Sequence, residues 1–364
     1  MAYTTIDDPS AYFQTKLYSG NSTQTAITYD GNSNLQPDWI WAKSRTNTHY
    51  HDFRDSTRGV TKRLASNTDD AESTKDQSYV SFDSNGFTLG DDTDGGAQNT
   101  VNTTGNNYVS WGWKANGGTT SSNSDGSITS TVQADTTAGF SIVTYTGTGS
   151  TATVGHGLGV KPSVIIIKAR TEPTGGVHFG TDQGNWIVYH QGTASDPETD
   201  LLLLNESNAV SDSTGHMNDT APTTSVFTIH TNVDVNESSD TYVAYCFAEK
   251  QGYSKFGSYT GNGDADGTFV YTGFKPAWIM IKRTDSADDL KINDVARDNN
   301  ETNARLRSND ATAESTSDAG VDLLSNGFKC RLGSEFNASS TTNIYLAFAE
   351  HPFVSSEGVP TTAR

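Results

Sequence analysis

Cysteine is almost missing from this 364-residue chain, and Cys246 and Cys330 cannot between them build a disulfide framework. Methionine is equally scarce at three, and Lys, Glu and Leu are thin, so long amphipathic helices are not expected. Basic residues are short too, because 24 Lys and Arg face 43 Asp and Glu for a net charge of -19. With no Lys/Arg cluster to override that repulsion, nucleic acid and an anionic membrane surface are excluded as main partners. No apolar run approaches the roughly 20 residues that would span a bilayer, and no membrane insertion is expected. The first eight residues carry neither a basic region nor an apolar segment, so no signal peptide is expected at the start.

What is present is a polar, turn-rich chain studded with rings. Hydrophobic residues reach only 33% and mean hydropathy is -0.57. Yet 6 Trp, 15 Tyr, 15 Phe and 34 Gly run along the whole length. Disorder goes with few aromatics, so this mixture points to short strands joined by polar turns.

The chain also repeats itself three times, which sets the architecture before any motif is read. Each copy opens with an aromatic strand entering a Gly turn, at Leu17-Tyr18-Ser19-Gly20, Thr144-Tyr145-Thr146-Gly147 and Ser258-Tyr259-Thr260-Gly261. A Pro then leads an apolar strand ending in a cation: Pro37 to Lys43, Pro162 to Lys168 and Pro276 to Lys282. Pro at the first position of a strand loses no ladder hydrogen bond. Each copy closes on a third strand, Tyr108 to Trp113, Tyr242 to Glu249 and Ile344 to Glu350. Apolar groups on both faces make it a central strand, with Gly112, Cys246 and Ala347 at equivalent places. Cys246 is then a packing residue. Copies one and three share an Asn-Gly hairpin turn, at Asn85-Gly86 and Asn326-Gly327, which copy two lacks.

The expected fold is all-β, with three tandem β-sandwiches of jelly-roll or lectin-like form. The boundaries are drawn at 1–117, 118–250 and 251–353, followed by a C-terminal tail over 354–364.

Two stretches resemble a known group. They are Asp7 to Thr15 with Leu35 to Trp41, and Tyr242 to Glu249 running into Gly252 to Gly263. They look like the tandem repeat proteins of marine tailed bacteriophages, a family regarded as virion structural or tail-fibre-like. The resemblance runs over residues 7 to 353. It implies a non-enzymatic structural protein on the virion surface, assembled in the host cytoplasm, with other virion proteins and a host-surface glycan as partners. It brings no catalytic residues to carry over. Two roles compete, a tail fibre or appendage and a head decoration. A secreted or surface lectin or adhesin is the alternative, and a glycoside hydrolase a more distant one.

The residues offer few rivals to that reading. His49 and His51 lie at i and i+2, on one face of a strand, and could ligate a metal if a third ligand converged. Asn262 to Gly267 imitates the first half of a calcium loop, but Gly273 stands where the motif needs a closing Glu, so a plain turn is expected. Neither a nucleophile elbow nor a phosphate loop occurs, and no cofactor is expected. Trp186, Tyr189 and Tyr50 are the candidate glycan contacts, with core packing as the competing reading. A homo-oligomer is expected, preferably a trimer, with the tail either mobile or laid across a neighbouring subunit.

Overall fold

The computed structural model describes residues 2–96, 98, 100–172, 184–298, 301, 302, 304–316 and 320–361. The fold is an all-β sandwich architecture built on three equivalent units. In each, an inner antiparallel sheet places the closing strand between the opening strand and the strand after the Pro. Unit one orders Phe13–Ser19, Asn107–Trp113, Trp39–Ser44 and Asp52–Asp55. Unit two repeats this with Phe140–Thr146, Thr241–Phe247, Val164–Ala169 and Ile187–His190. Unit three does so with Ser254–Thr260, Thr342–Pro352, Phe274–Arg283 and Lys291–Asp294.

A smaller outer sheet packs behind each inner one. Its conserved geometry is a cross-strand pair of a branched residue with a phenylalanine: Ile27 with Phe87, Val154 with Phe227, and Val270 with Phe328. The Asn-Gly hairpins of units one and three supply an extra outer strand each, Tyr79–Asp83 and Val321–Leu324. Among the described residues, the outer sheet of unit two pairs Ala152–Gly155 with Val226–Ile229, and a short helix, Thr214–Met217, precedes the second of these.

Because inner strands alternate their side chains, one face of each sheet joins its own outer sheet and the other is left apolar. Those three remaining faces meet. Trp39, Trp41, Trp111 and Trp113 of unit one, Phe140, Tyr245 and Phe247 of unit two, and Trp278, Met280 and Phe348 of unit three belong to a single buried cluster. Trp39 stacks on Trp113 at 4.4 Å and on Tyr245, across a unit boundary, at 4.6 Å. Phe13 stacks on Phe348 at 5.4 Å, joining units one and three. Trp39 and Trp278 hold equivalent positions and both are buried, as is Val164 at the same place in unit two. The largest core of the molecule is therefore shared by all three units.

Over its described part the tail stays on its own chain. Residues 354–361 form a turn closed by a bridge between Val354 and Pro360, and Ser356 donates from its backbone N–H to Asp7 at 2.6 Å. Residues 362–364 lie outside the described residues. No helix among the described residues is long and apolar enough to cross a membrane.

Candidate functional site

The charged groups that would be expected to carry chemistry gather at the boundaries between units. The starting point is a ten-residue segment found twice, Arg63-Leu64-Ala65-Ser66-Asn67-Thr68-Asp69-Asp70-Ala71-Glu72 and Arg305-Leu306-Arg307-Ser308-Asn309-Asp310-Ala311-Thr312-Ala313-Glu314. Unit two keeps its outline as Leu201 to Val210. In each case the segment leaves its own unit and runs along the next one.

Glu72 donates its backbone N–H to Arg170 O at 2.9 Å, and Glu314 does the same to Arg45 O at 3.0 Å. Val210 bonds to Thr284 O in the same manner at 2.9 Å. Unit one thus clasps unit two, unit two clasps unit three, and unit three clasps unit one. The cycle closes.

Guanidinium–carboxylate clusters reinforce two of the three clasps, while at the third boundary Lys255 of unit three pairs with Glu249 of unit two at 2.9 Å. Arg170 grips Glu72 bidentately at 2.9 and 3.0 Å, while Arg58 reaches the same carboxylate at 2.9 Å. Arg45 grips Glu314 at 3.0 and 2.8 Å, and Arg297 reaches it at 3.1 Å. Burial opposes ionisation of both carboxyls, but the paired guanidinium groups outweigh it and hold each below the usual range. Behind each cluster stands an Asp three residues before the Arg: Asp55 before Arg58, and Asp294 before Arg297, all with fully buried side chains. Each Asp also receives a donor from the neighbouring unit. Tyr245 donates its hydroxyl to Asp55 at 2.7 Å, and Trp111 donates its indole N–H to Asp294 at 3.0 Å. His190 is the third member of this set by strand register. Gly192 N–H occupies its Nδ1 at 3.0 Å, so Nε2 carries the proton and donates to Tyr345 O at 3.1 Å. Burial drives its pKa down to about 4, favouring that neutral form.

The lysines that end the Pro strands are drawn into the same boundaries. Lys168 Nζ donates to Asp69 O of unit one at 3.0 Å, and Lys282 Nζ to Ser207 O of unit two at 2.9 Å. Lys43 Nζ donates to Ser44 O at 2.8 Å. Burial pushes Lys43 down to about 7 and the other two to about 8. Such depression often marks a reactive amine. Here the amines are held by backbone carbonyls, and their position is structural.

Of the residues singled out from the sequence, His51 and Trp186 fall within this scheme. His51 is buried, with Nδ1 accepting from Trp41 Nε1 at 2.7 Å and Nε2 donating to Arg307 O of unit three at 2.8 Å. Both ring nitrogens are committed, which corrects its candidacy as a metal ligand. His49 is buried and bonds to Thr100 Oγ1 through Nδ1 at 2.9 Å. Among the described residues, no group of three or more His, Cys, Asp or Glu is placed to hold a metal ion. Trp186 stands at the position in unit two that His51 holds in unit one, and its indole donates to Ala65 O of unit one at 2.8 Å. Fully buried, it cannot contact a glycan; Tyr189 is buried as well, on the Ile187–His190 strand. Tyr50 is half-buried beside His51. Cys246 is buried, and its thiol is pushed up to about 12 by that burial.

The calcium-like loop also has a physical explanation. Asn337, buried, inserts its amide nitrogen where a cation would sit, donating to Asn262 Oδ1 at 3.0 Å, Asp264 O at 2.8 Å and Leu332 O at 2.7 Å. Asn102 and Asn236 repeat this device, each bridging two backbone carbonyls of its own unit. All three stand six positions before the equivalent closing-strand residues Tyr108, Tyr242 and Asn343. The turns they hold need glycine. A Cβ on Gly20, Gly147 or Gly261 would lie 2.3, 2.2 or 2.3 Å from a backbone oxygen.

An apolar void of about 10 Å³ between units two and three admits no more than a water. A groove of about 210 Å³ between units one and three is lined by Gln14, Asp30 and Glu350 among others, and their polar groups pair with Ser10 O, Lys16 and Lys275.

The sequence model of a family described as a domain of unknown function, DUF7483, matches residues 8–352, and so takes in all three units as one block. No curated protein shows a significant match.

Proposed function

The chain belongs to that family, whose function is unknown, and from the closed cycle of its units we propose that it is a non-enzymatic structural protein of a bacteriophage virion surface. The observation that carries the reading is the mutual clasp of the three units. Each Arg–Glu cluster, the depressed Lys168 and Lys282 and each seam histidine is consumed in holding one unit to the next, and the shared aromatic core leaves no hinge between them. A block that commits its charges and rings to rigidity is suited to bearing load and presenting surface. The resemblance of Asp7 to Trp41 and Tyr242 to Gly263 to tailed-phage repeat proteins supplies the setting, as an appendage or as a head decoration attached through other virion proteins.

The test is direct. Purified particles of the virus that carries the gene are analysed by mass spectrometry and labelled with gold-conjugated antibody. Stoichiometric recovery with labelling on tail or head supports the proposal. Complete absence from particles, with the chain found free in the lysate, would overturn it.

A further inference from the structure

The strand Phe269–Tyr271 forms one edge of the outer sheet of unit three, pairing through Phe269 with Lys329 and Tyr271 with Gly327. Val270 points inward, while Phe269 and Tyr271 are 44% and 54% exposed. Among the described residues, Phe269 and Tyr271 are the two exposed aromatic side chains, and they lie on one side of an edge strand. The sister units show whether the fold requires them. Ile27, Val154 and Val270 each face a phenylalanine across the ladder, so the flanking positions correspond. Unit one has Ala26 and Thr28 there, and unit two has Thr153 and Gly155. The same sandwich is built three times, and only once with rings at these places. Their role is not architectural.

The surroundings of the rings describe a ligand. Tyr3 donates its hydroxyl to Gly273 O at 2.7 Å, so the 3.2 Å contact between the two hydroxyls has Tyr271 donating to Tyr3. That leaves oxygen lone pairs directed to solvent beside two ring faces. Backbone bonds from Cys330 N to Thr268 O and from Thr272 N to Asn326 O face the partner strand, so by alternation the peptide groups of Phe269 and Tyr271 face the open edge. Lys329, the cross-strand partner of Phe269, is neutralised by Asp266. Apolar ring faces about 7 Å apart along the strand, rimmed by uncharged donors and acceptors, match the C–H faces and hydroxyls of successive sugars. A net charge of -19 disfavours a polyanion, and it equally disfavours a second copy of the chain.

We propose that Tyr3, Phe269 and Tyr271 form a binding platform for a neutral saccharide chain. This rests on the surface role proposed above and names the ligand for it. Its test uses the free chain, so absence from particles and failure to bind sugar remain separate results.

The full chain is screened against an array of neutral oligosaccharides of hexoses and N-acetylhexosamines, and the strongest hit is titrated calorimetrically. The Phe269→Ala/Tyr271→Ala double variant is expected to bind about tenfold more weakly or not at all, with an unchanged urea midpoint. Tyr3→Phe, which keeps all three rings, is expected to weaken binding less. Dextran sulfate is expected not to bind. The proposal is overturned if no neutral oligosaccharide binds, or if the double variant binds as the parent does. It is equally overturned if the substitutions convert a sugar-blind dimer into a monomer, which would make this edge a contact between copies.

Discussion

Replacing Asp294 by Asn probes the clasp at its most buried point. Asp294 accepts Arg297 Nε at 2.6 Å and the Arg297 backbone N–H at 3.0 Å, and it takes the indole of Trp111 from another unit at 3.0 Å. An amide keeps one acceptor oxygen and turns a donor toward groups that are themselves donors. Removing one partner of a buried ion pair costs about 3–5 kcal/mol. Arg297 keeps Glu314 and Ile292 O, which places the cost near the lower end, at about 3 kcal/mol. At roughly 2.1 cal/mol/K per residue, 364 residues give an unfolding entropy of about 760 cal/mol/K, so the melting temperature should fall by about 4 °C. Asp285→Asn serves as control, since its pair with Arg283 is exposed and worth about 0–1 kcal/mol. A double-mutant cycle with Trp111→Phe should show a coupling of at least about 0.5 kcal/mol, because the contact joins two units. The assay is urea unfolding followed by tryptophan fluorescence. If D294N and D285N shift the midpoint equally, the boundary charges are decoration and the reasoning fails.

Three further outcomes follow from the same geometry. Trp278→Ala removes a ring at the centre of the shared core and should cost about 3–5 kcal/mol, read from the urea midpoint. Gly261→Ala would set a methyl 2.3 Å from Ala338 O, and should cost about 1–3 kcal/mol in the same assay. Acid should destabilise the fold through His190, whose pKa falls from 6.5 to about 4 on burial. Between those values the unfolded chain binds a proton that the folded chain refuses, so stability falls as pH falls. His190's share of the loss is complete below about pH 4 and amounts to about 3 kcal/mol, and His190→Gln should make that part of the pH–stability curve shallower.

Much of the fold was legible in the sequence because strand patterning is local. The Gly turns, the Pro strands and the closing strands each announce themselves in a few residues, and the inner sheets place them identically. The cycle was harder to read, since it is made by residues that meet across units. One signal for it existed. The segments ending at Glu72 and Glu314 share Arg, Leu, Ser, Asn, Ala and Glu at fixed spacing, and each follows an Asp-x-x-Arg. Unit two hides it by substituting leucines and Val210, so a threefold comparison loses the charges. His51 and Trp186 were singled out for a metal and a glycan because their residue types suggest those ligands. They share one repeat position, and both reach a carbonyl of the adjoining unit. Phe269 and Tyr271 are not legible as a surface in the sequence, because a short aromatic strand reads as core and only the burial pattern separates an edge from an interior.

Differential scanning calorimetry of the intact chain tests the central claim most directly. A single core shared by three mutually clasped units should melt in one cooperative transition, with calorimetric and van 't Hoff enthalpies equal. Two or three resolved transitions, each with the enthalpy expected of about 120 residues, would show instead that the units are independent sandwiches in tandem.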